Sequence, residues 1–408
     1  MVGRYSSLSL AASAFAGSVF ALFIVFGMAS STFVSTLVSQ AYGAGHHFKC
    51  GEILRHAIII NLLMGLSMGF IIQLGIPFLV FFGQDPRVLE EAAPYLIVVG
   101  WSSLPIFLFQ ALRQYSEALT QTIPPMLITA AGILLNALFN WIFIFGKFGF
   151  PELGLLGAAY STLLCRILMF VGLAWLIARD PYFKDFFPKS WLAKFQPSIF
   201  KTAIKIGFPS GFQGLFEMGT FAMAAVMMGW IGVNELAAHQ IALSMAATTF
   251  MVALGISFAA TILVGMAFGR GQMSEARRAG IRALFLGIIT MGLFGIFFAI
   301  GHHYLPRIYT EDPQILQIAG DFMVVAAIFQ IFDGVQVISL GCLRGISDIR
   351  MPTLITLFNY SFWALPLCYY LGFHTSLGAI GIWIGLALGL LTASLALSFR
   401  FLQLVKYQ

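Results

Sequence analysis

Residues 236–267, LAAHQIALSMAATTFMVALGISFAATILVGMA, run for 32 positions without an Asp, Glu, Lys or Arg. An α-helix rises about 1.5 Å per residue and the hydrocarbon core of a bilayer is about 30 Å thick, so roughly 20 apolar residues suffice to cross it. The stretch shows no alternation of polar and apolar positions, which a strand of a membrane barrel would require. It therefore reads as a transmembrane helix. Its end, LVGMAFGRG at 263–271, has a counterpart in LVSQAYGAG at 37–45, which closes another apolar run.

Outward from this pair the pattern repeats over the whole chain. Apolar stretches between charged or turn-forming segments fall at 8–38, 56–82, 94–116, 124–146, 153–178, 203–231, 236–267, 280–304, 314–342, 352–372 and 376–402. The reading is an all-α polytopic membrane protein with eleven predicted transmembrane helices. Composition agrees: 60% of the 408 residues are hydrophobic, 9% are charged, and mean hydropathy is +0.92. A soluble domain carries about 25% charged residues. The net charge of +6 thus points to loop topology and not to nucleic acid. Four scattered cysteines, with no CxxC and no Cys/His cluster, argue against a disulfide framework, an iron–sulfur site or structural zinc. Gly65/Gly69 and Gly381/Gly385/Gly389 have the spacing of close helix contacts, or are glycines merely frequent in membrane helices.

Basic residues are unevenly shared. The segments on the side of the C-terminus hold 17 Lys and Arg, those on the other side 4, and Arg166 lies inside a span. The positive-inside rule then makes the C-terminal side cytoplasmic, in a membrane crossed many times. With eleven spans, residue 1 falls on the opposite side.

The chain also matches itself at an offset of about 227. Asp85-Pro86 falls on Asp312-Pro313, Pro125-Met126-Leu127 on Pro352-Thr353-Leu354, LAASA (10–14) on LAAHQ (236–240), and LGLLGAA (153–159) on LGAIGIW (377–383). Ordered matches of this kind indicate duplication. The second repeat opens with span 203–231, whose counterpart would precede residue 1. The expected organisation is a first lobe over 1–180 with five helices and its first helix missing, a basic cytoplasmic linker over 181–202, and a second lobe over 203–408 with six. Repeats of six spans share one orientation and are related by an axis along the membrane normal. The linker, with its aromatics and lysines, reads either as an amphipathic segment on the inner leaflet or as a solvated connection.

An ionisable side chain in mid-membrane costs about 2.5–3.5 kcal/mol on insertion scales, so each needs a reason. Glu217 and Asp333 stand deepest. Helical spacing gives them polar stripes, Gln213/Glu217/Thr220 and Gln330/Asp333/Gln336, and a third stripe, Gln240/Ser244/Thr248, lies on 236–267. All are in the second lobe, where they are expected to converge with no intramembrane Lys or Arg to pair with. Such carboxylates suit exchange of a proton, Na⁺ or a cationic ligand, or, as the plainer reading, a structural hydrogen bond in a protonated state. In the first lobe Asn136 and Asn140 form an i, i+4 pair that suits a polar site or interhelical hydrogen bonding alike. Arg166 snorkels or faces the interior, and His239 reads as a packed or interfacial histidine. Without HExxH, GxSxG or a Walker A motif, proteolysis and ATP-driven pumping lack their residues, and no enzyme is indicated. No cofactor is called for, and nothing resembles a selectivity filter. Duplicated six-helix units with buried carboxylates point to a secondary transporter.

Taken together, LVSQAYGAG, FQALRQYSEAL, LLNALFNWIFIFGKFGFPELGLLGAA, KIGFPSGFQGLFE, LAAHQIAL, YTEDP, FQIFDGVQV and CLRGISDIRMP resemble the multidrug and toxic compound extrusion family, in particular its NorM-type bacterial branch, over essentially the whole chain. The resemblance implies a twelve-helix, two-lobe fold (six plus six) with a V-shaped central cleft. It also implies a monomer in membrane lipid, in a bacterial inner membrane, that exports cationic amphipathic drugs and dyes in exchange for Na⁺ or H⁺. Matched residue by residue, Glu217 and Asp333 fall on the second-lobe acids that couple cation and drug. Asn136, Asn140 and Thr162 fall on a polar first-lobe cation site. Gln240, with Gln213, Gln330 and Phe329, falls on cleft and substrate positions, Phe329 standing where the branch often has tyrosine. The family's first helix, with its aspartate, has no counterpart among these residues. A lipid-linked precursor flippase of the same superfamily is the alternative. Such proteins line their cavities with basic residues, whereas the embedded charges here are mainly acidic. A signalling or scaffolding membrane protein is a distant third.

Overall fold

The computed structural model describes residues 2–191 and 194–406. Among the described residues it is built of helices, eleven of them long and apolar enough to cross a membrane. These are α1 (Ser7–Gly43), α2 (His47–Phe82), α3 (Pro86–Ala118), α4 (Ile123–Phe145), α5 (Gly154–Arg179), α6 (Pro197–Ile231), α7 (Val233–Gly269), α8 (Met273–Gly301), α9 (Pro313–Gly345), α10 (Arg350–Phe373) and α11 (Ala379–Leu404). Each expected span is there. Several start earlier than the apolar run: α2 begins at His47 instead of 56, α3 at Pro86 instead of 94, and α8 at Met273 instead of 280. The backbone of a helix does not stop where its apolar side chains stop, and the polar first turns reach beyond the hydrocarbon.

The duplication is visible in the helix ends. Spans α1 and α7 both have 37 residues, α3 and α9 both 33, and α5 and α11 both 26. The starts of α3 and α9 are made alike. Asp85 and Asp312 each accept a hydrogen bond from the backbone N–H two residues on (2.9 Å in both), with proline at the first helical position. This is the usual N-cap chemistry, in which a short acidic side chain satisfies an otherwise unpaired donor and proline loses nothing.

Contacts divide the chain into two compact units, Met1–Tyr42 with His46–Gly211, and Gly43–Gly45 with Phe212–Gln408, so that the boundary falls inside α6. The first unit has a core of small and large side chains from α1, α2, α3 and α5, including Ala12, Ala16, Phe20, Leu96 and Ala159. In the second, the described residues form an aromatic core around Phe322, Phe329 and Trp383 and an aliphatic core around Met291, Ile338 and Leu397. Glycines set the distances. A Cβ on Gly65 would lie 2.6 Å from the Cα of Leu104, and one on Gly385 2.8 Å from the Cα of Cys368. Close helix approach is therefore what those spacings encode.

The linker is not simply a solvated connection. Phe183 is wholly buried and Phe186 nearly so, while Tyr115 donates to the Phe186 carbonyl (2.8 Å) and Tyr182 to that of Leu119 (2.9 Å). Arg55 of α2 donates to the carbonyls of Ser190 (3.2 Å) and Lys194 (3.0 Å), and His56 accepts from the Gln196 N–H (3.0 Å). The segment belongs to the first unit, where Phe183 and Phe186 are buried. Leu192 and Ala193 of the linker, and Tyr407 and Gln408 at the C-terminus, lie outside the described residues.

Candidate functional site

Within the second unit α6, α9 and α10 bring their polar side chains to one place. Helix α6 supplies Gln213 and Glu217, one turn apart. Helix α9 supplies Gln330, Asp333 and Gln336, also on one face, and Arg344 near its end. Helix α10 supplies Tyr360. Asp333 is 5% exposed and Gln213 2%, Gln330 and Gln336 are fully buried, and Glu217 is half-buried. Glu217 interacts electrostatically with Asp333, Tyr360 and Arg344. Arg344 Nη2 donates to Gln213 Oε1 (3.0 Å), Gln336 donates to the Tyr360 hydroxyl, and Thr249 of α7 donates to Gln330 Oε1 (2.9 Å).

Two expectations need correcting. The acids are not without a basic neighbour. By sequence Arg344 belongs with the loop charges, because it lies one residue from the end of its helix, yet its guanidinium is drawn into the unit beside Gln213 and Glu217. Nor do the three stripes converge. Gln240, Ser244 and Thr248 are exposed, and the two hydroxyls donate only to carbonyls one turn back in their own helix (2.7 and 2.9 Å). The face of α7 that meets α9 is Thr249, Ser257 and Thr261, which donate to Gln330, to the Val337 carbonyl (2.6 Å) and to the Gly341 carbonyl (2.9 Å). Helical phase decides this: positions 240, 244 and 248 share one side, and the buried Ala242, Ala246 and Ala253 mark the other.

The cluster has more polar atoms than partners. Among the described residues, Gln213 Nε2, Gln330 Nε2, Asp333 Oδ1, Gln336 Oε1 and Arg344 Nε are buried with no hydrogen-bond partner in the protein. A buried polar group left unpaired costs about 1–3 kcal/mol, so a concentration of them sets this place apart from the apolar cores around it. Two carboxylates within reach of each other in a low dielectric disfavour the state in which both are bare, and a proton or cation relieves that repulsion.

Tyr360 gets there by a local irregularity. Pro366 has no N–H, and its ring collides with the carbonyl four residues back. The chain answers with a π-helical turn over Asn359–Ala364, which widens α10 where Tyr360 and Asn359 project inward. Neither Tyr360 nor Arg344 nor Thr249 stands out in sequence. The available signal for Tyr360 is the proline six residues on.

In the first unit Asn140 donates to Asn136 Oδ1 (3.0 Å) and Asn136 to Ser161 Oγ (3.4 Å), while Ser161 Oγ donates to the Asn136 carbonyl (3.2 Å). Asn140 Oδ1 is buried and unpartnered. Thr162 donates to Ala158 of its own helix (3.0 Å), so the hydroxyl joining the pair is that of its neighbour Ser161. Arg166 faces inward, donating to Ser102 Oγ (2.6 Å) with its guanidinium 5.3 Å from the Phe20 ring. His239 is buried edge-on to Trp383 at 5.5 Å, the packed histidine expected. Phe329 is 1% exposed between Phe221 and Trp383, its ring in the aromatic core.

A family model, MatE, matches residues 1–142 and 209–370. A protein of Bradyrhizobium diazoefficiens described as a probable multidrug resistance protein NorM is 36% identical over 410 residues, covering 100% of this chain and 88% of its own. One of Pseudomonas syringae pv. tomato with the same description is 33% identical over 406 residues, covering 98% and 88%. Among solved structures, a multidrug resistance MATE family transporter in an outward-facing conformation superposes with a TM-score of 0.90 at 21% identity, over 99% of this chain and 90% of that one. The identity to that structure speaks for the fold alone. The duplicated helices, the family model over most of the chain and the match of this whole chain to NorM-type relatives lead to one assignment: this chain belongs to the MatE family.

Proposed function

We propose that the protein is a secondary active multidrug exporter. It carries cationic, amphipathic compounds out of a bacterial cell in exchange for Na⁺ or H⁺, with Glu217 and Asp333 as the coupling acids. The observation that carries the reading is the cluster in the second unit. Two acids from different helices act on each other electrostatically amid buried amide atoms and an Arg344 Nε that have no hydrogen-bond partner, and in this reading a coupling ion and a cationic drug compete for the same negative charge. The relatives' description as multidrug resistance proteins supports the direction and the breadth of substrate.

In this reading Gln213 and Gln330 shape the polar pocket, Gln240 on the exposed face of α7 meets substrate, Phe329 backs the pocket from the aromatic core, and Asn136, Asn140 and Thr162 form a second cation site in the first lobe. The lobes are 1–180 and 203–408, joined by the 181–202 linker. The protein acts as a monomer in the inner membrane, and the basic segments, with the C-terminus, face the cytoplasm.

The test is dye efflux from a drug-sensitive host expressing wild type, Glu217→Gln or Asp333→Asn at equal membrane abundance. Both variants should insert normally and lose ion-driven efflux. Wild-type efflux in both would refute the assignment. Efflux measured at fixed pH with and without Na⁺ then names the ion. Arg344 beside the acids and the inward-facing Arg166 favour the alternative, a lipid-linked precursor flippase. Transport of a lipid-linked pyrophosphate in everted vesicles, with no dye movement, would decide for it.

A further inference from the structure

On the second unit's surface, helices α7 and α8 leave a cavity of about 750 Å³ between them, beside their shared turn. Its walls are apolar and exposed, with Val252, Gly255 and Leu263 on α7 and Leu286 on α8. Its mouth is basic: Arg270, Arg278 and Arg282 line it, with Glu275 among them. Arg278 also lines the adjoining cavity, which holds Arg277. Three arginines thus share the mouth with one glutamate, and Arg277 adds a further positive charge next to it. That glutamate is engaged by Arg270 at 3.5 Å, with both side chains about half exposed, and Arg278 and Arg282, one helical turn apart, are left free of any acid in the cluster. Chemically, the cavity is a greasy slot with a positive rim at the end of two membrane-spanning helices.

We propose that this slot is a binding site for an anionic phospholipid, whose phosphate is held by Arg278 and Arg282 and one of whose acyl chains lies between α7 and α8. Guanidinium groups bind phosphate oxygens through paired, charge-assisted hydrogen bonds. The surplus of positive charge selects a lipid with net negative charge over a zwitterionic one, as basic pockets between helices on the cytoplasmic side do. The apolar walls distinguish a lipid from free phosphate, since a small anion would leave them uncovered. Gly255 matters for the acyl chain. A Cβ there would meet nothing within 4 Å, so the wall is open at this point and a chain can lie flat against the helix backbone. The site is separate from the acids of the efflux reading and does not depend on it.

The experiment uses the full chain in detergent, presented separately with phosphatidylglycerol, phosphatidylcholine and inorganic phosphate. Bound lipid is counted by native mass spectrometry, which scores folded protein only, and the unfolding midpoint is followed in parallel. Phosphatidylglycerol should bind and raise the midpoint, phosphatidylcholine should bind more weakly, and inorganic phosphate should do neither. Each of Arg278→Gln and Arg282→Gln should weaken phosphatidylglycerol binding roughly fivefold, the factor expected for one surface arginine near an anionic lipid. Gly255→Trp, which fills the slot and leaves the arginines in place, should weaken it as much, and Arg307→Gln, outside the cluster, should not. Equal binding by wild type and the Arg278/Arg282 double variant would overturn the proposal. So would an unaffected Gly255→Trp, or phosphate that raises the midpoint as much as the lipid does, since either leaves a bare anion site.

Discussion

Tyr360 shows how far a single side chain can set a buried polar site. Its hydroxyl accepts from Gln336, whose other amide atom is already unpartnered, and it lies within electrostatic reach of Asp333 and Glu217. Replacing Tyr360 with Phe leaves the Gln336 amide with no partner at all, at a cost of about 1–3 kcal/mol. The unfolding midpoint in detergent should fall, whereas Tyr304→Phe, at a 69% exposed position, should leave it unchanged. Equal midpoints would mean that Gln336 finds another partner. At this scale Glu217 and Asp333 are legible in sequence, since a charge inside an apolar run identifies itself. Tyr360, one tyrosine among 12, is not, and neither is Arg344, whose place near a helix end looks like an ordinary loop charge.

Helices in this protein are spaced by what is absent from their surfaces. At Gly385 the nearest atoms to an added Cβ would belong to the backbone and sulfur of Cys368, all at 2.8 Å, and a helix backbone cannot swing aside as a flexible side chain can. Gly385→Leu should therefore destabilise by about 1–3 kcal/mol or more, as overpacking does. Gly292 of α8 is the counter-case: a Cβ there would meet nothing within 4 Å, and the residue lies in mid-helix. Gly292→Ala should be neutral or stabilising by about 0.5–1 kcal/mol, because glycine gives up more chain entropy than alanine. The two variants compared by thermal unfolding in one detergent test the argument, and a shift of the same sign in both would undo it. The GxxxG spacing is legible in sequence. Which glycines carry a neighbour at contact distance is not, since that depends on how the opposing helix is phased.

For the molecule as a whole, the linker and the charge bias make two checkable statements. Arg55 and His56 hold the chain at Ser190, Lys194 and Gln196, so the lysines of this segment should resist trypsin in the native protein. Arg55→Ala removes both carbonyl contacts and should speed cleavage at Lys189 and Lys194, leaving α8 and its neighbours uncut; an unchanged rate would show the clamp to be incidental. The orientation read from the 17-to-4 bias is open to cysteine labelling, because the four native cysteines are buried. A membrane-impermeant maleimide should reach Arg277→Cys only in everted vesicles and Arg307→Cys only in intact cells. Labelling of both from one side would reverse or break the topology.

The sequence alone determined the fold class, the eleven spans and the duplication. Each rests on a property summed along the chain, hydropathy over about 20 residues or identity at a fixed offset, and tertiary contacts do not change such sums. It also found the two acids, whose insertion cost falls on the residue itself. What only tertiary structure decided was which faces meet. Gln240, Ser244 and Thr248 look as good in a helical projection as Thr249, Ser257 and Thr261, yet the second set is buried against α9 and the first is exposed. Phase between helices is set by glycine contacts and by the π-turn at Asn359–Ala364, and these are properties of pairs of elements. The burial of the linker belongs to the same class, because an aromatic side chain becomes core only where another element has left room for it.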